Sequence, residues 1–111
     1  MPQNSLVALA ADGAGTLQVI RRNGAVAKFD PEKISVALIK AFIAVEGGEA
    51  GASSRVREIV ARLTAAVVAA LTRRLPDGGA VHIEDIQDQV ELALMRSGEH
   101  EVARSYVLYR E

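Results

Sequence analysis

The sequence predicts an α+β domain: a small two- to three-stranded β-hairpin sheet covering a bundle of four helices. Three observations predict it. A β-branched, basic run reaches Asn23-Gly24, the strongest short-range hairpin signal, and returns through Ala25 to Phe29. Four later stretches repeat apolar residues at three- and four-residue spacing, as helices with one buried stripe do. Half of the 111 residues are apolar but only 4% are aromatic, so the core is aliphatic and alanine-rich, which suits helix packing. A chain of this length forms one domain and buries roughly two-thirds of its unfolded surface.

Residues 1–16 are small and carry no sustained period, with glycines at 13 and 15. They read as a flexible N-terminal extension with a short docking segment at Leu6 to Leu9. The domain proper is expected over residues 17–111. In the first strand, Val19-Ile20-Arg21-Arg22, alternation puts Val19 and Arg21 on one face and Ile20 and Arg22 on the other. The two arginines therefore do not share a face in regular strand, and Arg22 either swings round at the turn or stays solvated. Asp30-Pro31-Glu32 opens the first helix, with Asp30 as N-cap oxygen and Pro31 where a missing N–H costs nothing.

Helix one, expected from about Pro31 to Val45, lines up Ile34, Ala37, Leu38, Ala41, Phe42 and Val45. A glycine-rich loop stops it. Helix two, from about Ser54 to Leu75, buries Val56, Ile59, Val60, Leu63, Val67 and Leu71 and turns Arg55, Arg57, Glu58, Arg62 and Arg73 outward. Pro76-Asp77-Gly78-Gly79 ends it, and Ala80 to His82 offers a short third strand. Helix three, about Glu84 to Ser97, faces inward through Ile86, Val90, Ala93 and Leu94, and Gly98 suits a left-handed cap. Helix four, about Glu99 to Arg110, offers Val102, Ala103, Tyr106 and Tyr109. The chain stops there mid-pattern, as an excised domain would.

Thirteen Lys and Arg against fourteen Asp and Glu give a net charge of −1. No global field draws in DNA or an anionic membrane, so no direct nucleic-acid or membrane partner is expected and anion recognition must be local. Cysteine is absent, which excludes disulfides, cysteine zinc sites and thiol nucleophiles and suits a cytoplasmic location. Residues 1–11 lack the features of a signal peptide, and the apolar run from Val60 to Leu71 is too short to span a bilayer.

Chemistry concentrates at one corner. Arg21, Arg22, Lys28 and Lys33 cluster there with the positive end of a helix dipole. Each charge-assisted hydrogen bond to a phosphate is worth about 1.5–3 kcal/mol, so two or three of these cations plus a helix N-terminus could reach micromolar affinity for a nucleotide, about −8 kcal/mol. Val19, Phe29 and Ile34 could wall in a base. On the residues alone, the same cations also suit a solvated hairpin. Asp85 and Asp88 share a helix face and suit either a magnesium ion bridging phosphates or favourable charge near a helix start. His82 and His100 have no metal-ligand spacing, and neither a nucleophile elbow nor a P-loop is present. No catalytic residue is expected.

The run VIRRNGAVAKFDPEKI, then a long helix, then HIEDIQDQVELALMRSGEHEVARSYVLYR, resembles the ATP-cone family over about residues 18–110. The likeness rests on the paired basic residues before Asn-Gly with Phe-Asp and Lys-Ile after, on Ile86-Gln87-Asp88 with Val90-Glu91, and on the closing Tyr106 to Arg110. It implies a regulatory domain that binds ATP or dATP, with magnesium, at the hairpin–helix corner. Such domains stand most often at the N-terminus of the large, catalytic subunit of ribonucleotide reductase, where ATP leaves the enzyme active and dATP shuts it down by changing assembly. The implied partners are the rest of that subunit, its small subunit or another cone. A smaller branch, the alternative, serves a bacterial transcriptional repressor behind a cysteine zinc ribbon.

By the same resemblance, Val19 and Arg21 face the nucleotide and Arg22 occupies the neighbouring basic position. Lys28, Phe29 and Asp30 wrap ribose and phosphate, and Lys33 meets the phosphates with Ile34 beside it. Gln87 stands next to the phosphates and Ile86 near the base. Two positions depart from the pattern. Ile83 stands where a Ser or Thr helix cap is usual, and Ala27 where some members carry an acidic residue.

Overall fold

The computed structural model of the protein describes residues 16–110. The extension expected over residues 1–16 therefore lies outside the described residues, apart from Thr16. Strand β1 (Leu17–Ile20) is central in a three-stranded mixed sheet. It pairs antiparallel with β2 (Val26–Lys28) and parallel with β3 (Gly79–His82). Four helices follow among the described residues: α1 (Pro31–Glu46), α2 (Ser54–Arg74), α3 (Ile83–Arg96) and α4 (His100–Arg110). A 3₁₀ turn over Gly48–Ala52 joins α1 to α2. No helix among the described residues is long and apolar enough to cross a membrane.

The hairpin turn is tighter in its demands than Asn23-Gly24 alone suggests. The Gly24 N–H donates to the Arg21 carbonyl at 2.9 Å, and the Arg21 N–H donates to the Ala25 carbonyl at 2.8 Å. Gly24 has φ +86°, and no described non-glycine residue has positive φ. This is a three-residue loop closed by a glycine bulge, not a two-residue turn, which would need positive φ at Asn23 as well. Strand β1 accordingly ends at Ile20, so Arg21 and Arg22 belong to the turn rather than to regular strand.

Helix ends are set by local chemistry. Asp30 Oδ1 accepts from the Glu32 N–H at 3.0 Å, with Pro31 in the first helical turn. Ser53 caps α2 through the Val56 N–H. At the end of α3, the Glu99 N–H returns to the Leu94 carbonyl and the Gly98 N–H to the Met95 carbonyl, with Gly98 at φ +84°. That pair of bonds is a Schellman cap.

One apolar cluster joins every layer: Leu17, Val19 and Val81 from the sheet, Leu38 and Phe42 from α1, five residues of α2, and Val90, Leu94 and Tyr106 from α3 and α4. Phe42 and Leu38 are fully buried, and each such side chain contributes about 1.5–3 kcal/mol through burial. The ends of the expected stripes differ. Val45 is 37% exposed where α1 runs out past its neighbours, and Tyr109 is 56% exposed, its ring tilted against Tyr106 with Lys40 Nζ 6.0 Å from its centre.

Candidate functional site

Antiparallel register builds the site. Val19 stands opposite Ala27, so both face the same side of the sheet, and Arg21 follows two residues on. Against that face α1 brings Lys33 and Ile34, and α3 brings Ile83 and Ile86. With Lys28, Phe29 and Asp30 they line a cleft of about 360 Å³. Its floor is apolar: Val19, Phe29, Ile34 and Ile86 are all buried. Its rim is cationic, with Arg21, Lys28 and Lys33 exposed. None of the three makes a side-chain hydrogen bond or ion pair with a described residue. The N-terminus of α1, held by the Asp30 cap, adds the positive end of a sixteen-residue dipole. An apolar slot under unneutralised positive charge fits a molecule with a flat ring at one end and an anionic tail at the other.

Eight of the ten residues expected at the site therefore meet around one cleft: Val19, Arg21, Lys28, Phe29, Asp30, Lys33, Ile34 and Ile86. Arg22 and Gln87 do not line it. Arg22 neither swings to the cleft nor stands free in solvent. Its Nη2 donates to Gln87 Oε1 at 3.2 Å and to the Arg110 carbonyl at 3.0 Å, and its Nε lies 3.4 Å from Glu84. Arg110 in turn reaches Asp88 at 3.0 Å and Glu91 at 3.4 Å. A polar network outside the cleft lining thus ties the hairpin turn to α3 and α4. Beneath it, burial pushes the Tyr106 hydroxyl up to about 12, an effect the nearby Arg110 partly offsets. The sequence reading gave Arg110 no structural role. Arg110 lies 22 residues from Asp88 and 19 from Glu91, so only the packing of α4 on α3 brings them together.

Both positions that depart from the family pattern face the cleft. Ile83 is not the helix cap: it is the first residue of α3, and His82 holds the cap position without a side-chain cap bond. Ile83 instead extends the apolar wall. Ala27 lines the cleft with a single methyl group. Asp85 and Asp88 lie outside the cleft, and Asp88 is occupied by Arg110. Their acidic charge belongs to the α3 surface, and no group of three or more potential metal ligands occurs among the described residues.

Comparison with known proteins shows the family. The ATP cone domain family matches residues 17–111. The chain is 45% identical over 97 residues to the ribonucleoside-diphosphate reductase subunit alpha of Chlamydia trachomatis, covering 86% of this chain and 9% of that protein. It is 37% identical over 99 residues to the vitamin B12-dependent ribonucleoside-diphosphate reductase of Thermoplasma acidophilum, covering 85% and 12%. With the subunit alpha of Treponema pallidum it shares 35% over 95 residues, covering 86% and 11%. The chain thus spans about a tenth of the length of these relatives. With nearly all of its described residues inside the match, the chain belongs to the ATP-cone family, whose domains bind adenine nucleotides as effectors.

Proposed function

We propose that this chain is the nucleotide-sensing domain of a ribonucleotide reductase large subunit, with ATP or dATP binding in the cleft. One observation carries the reading: three cations with no side-chain partner among the described residues stand at a helix N-terminus over a buried apolar floor. Arg21, Lys28 and Lys33 hold the phosphates, while Phe29, Ile34, Ile83 and Ile86 pack the base. Asp30 fixes the first turn of α1, so the Lys33 amine is presented rather than left to fray. Magnesium arrives with the nucleotide, since its charge is balanced by the phosphates.

The domain performs no bond chemistry. Its work is a coupling free energy, typically about 1–3 kcal/mol, between the bound nucleotide and the assembly state of the parent enzyme. A nucleotide that binds two assemblies equally shifts neither, so ATP and dATP must favour different ones. The partners are then the remainder of the large subunit, the small subunit or a second cone, in a cytoplasmic enzyme. Titration calorimetry of this chain with each nucleotide in magnesium buffer tests binding. Micromolar binding that is lost in Arg21→Ala and Lys33→Ala supports the cleft; binding that survives both removes it. Sedimentation of the whole subunit with ATP and then dATP tests the assembly step, and an unchanged distribution rejects it.

A further inference from the structure

We propose that residues 6–11 of this same chain dock in an apolar groove between α1 and α2. The middle of α2, Thr64 to Thr72, has nine residues and no charge. A solvent-facing helix surface ordinarily carries charge, and a helix apolar all round is covered. One side of this stretch is covered by the core through Val67 and Leu71. The other side, Ala61, Ala65, Val68, Ala69 and Thr72, lines an open groove of about 830 Å³. Pro31 and Ser35 of α1 form its second wall, on a different face of α1 from Lys33. Pro76 and Arg73 close one end.

The described chain begins at that end. The Thr16 carbonyl accepts from the Gly79 N–H at 3.3 Å, and a Cβ on Gly78 would come within 2.4 Å of Thr16 Oγ1. Gly78 closes the turn that starts at Leu75 and contains Pro76. Upstream of Thr16 stand Gly15, Ala14, Gly13 and Asp12, then the uncharged run Leu6-Val7-Ala8-Leu9-Ala10-Ala11. Four linker residues reach up to about 14 Å, and six extended residues cover about 20 Å. The groove runs about 17 Å along α2 from Thr72 to Ala61. Charge sets the direction. Asp12 ends the apolar run where Arg73 ends the groove, so Leu6 points toward Ala61 and Ala11 toward Pro76.

The chain has no cysteine, so paired cysteines report the contact without background. The full chain carrying Val7→Cys with Ala65→Cys is compared with Val7→Cys with Val26→Cys under mild oxidation, without nucleotide. Val26 is exposed and pairs with Ile20, three residues along β1 from Leu17, so the same tether reaches it. Docking closes the groove disulfide about tenfold or more faster than the control, at a rate independent of dilution. Equal rates overturn the proposal. Cross-linked dimers that rise with concentration also overturn it, and assign the groove to a second copy. As a check that avoids new thiols, amide spectra of the chain and of one starting at Asp12 should differ at Ala61, Ala65 and Ala69. Identical spectra there overturn it as well.

Discussion

Arg21 and Arg22 are neighbours in one turn, yet they face opposite fates. Arg22 is committed: it bonds Gln87, Glu84 and the Arg110 carbonyl. Arg21 faces the cleft and meets no described partner for its side chain. The difference lies in which carboxylates the helices deliver. Behind the hairpin, α3 and α4 gather Glu84, Asp88 and Glu91 around two arginines. Among the residues lining the cleft, three cations stand with Asp30 alone, and one of its oxygens already holds the α1 cap. Neutralised charge fastens structure; unneutralised charge is available to a ligand.

The contrast is sharpest in nucleotide affinity. Arg21→Ala or Lys33→Ala should each cost about 1.5–3 kcal/mol of binding, roughly 10- to 150-fold in Kd, while leaving Tm nearly unchanged. Calorimetry beside thermal melting measures both, and a large fall in Tm would make Arg21 structural after all. The far side answers to pH instead. Tyr106 ionises only at about 12, so stability should be level up to pH 10, the ordinary tyrosine value. It should then decline by about 2–3 kcal/mol as pH rises to 12. Phenolate absorbance in Tyr109→Phe, which leaves Tyr106 as the one tyrosine, should titrate near 12; a midpoint near 10 contradicts the burial.

Asp30→Ala touches both regions, because it loosens the first turn of α1 under the cleft. We expect about 1 kcal/mol less stability, with Asp30→Asn retaining most of it. Chemical denaturation reads the difference. Arg22→Ala should have the smallest effect, at most about 1 kcal/mol of stability, since its pair with Glu84 is half exposed on both sides. Its affinity for nucleotide should fall much less than that of Arg21→Ala. Equal losses would erase the distinction between the two arginines.

The four helices, the hairpin and most cleft residues were legible because short-range rules decide them. Asp30-Pro31 and Gly98 act within a few residues of themselves, and the stripe from Ile34 to Phe42 is a local period. The placement of Arg22 and Gln87 was not legible. Whether a turn residue meets solvent, phosphate or carboxylate depends on helices more than sixty residues away. The start of α3 was likewise missed by one residue, because His82 caps it through backbone conformation alone and leaves no side-chain signal.

The parallel pairing of β1 with β3 has a consequence for how the cleft comes into being. Every rim cation lies within the first half of the described chain, but Ile83 and Ile86 arrive only when residues 79–82 dock beside 17–20. That closure spans about sixty residues, and contacts of such separation form late. A nascent or truncated chain ending before Gly79 would hold the charges without the apolar wall of Ile83 and Ile86. If nucleotide binds in this cleft as proposed, its recognition reports that the whole domain has finished folding.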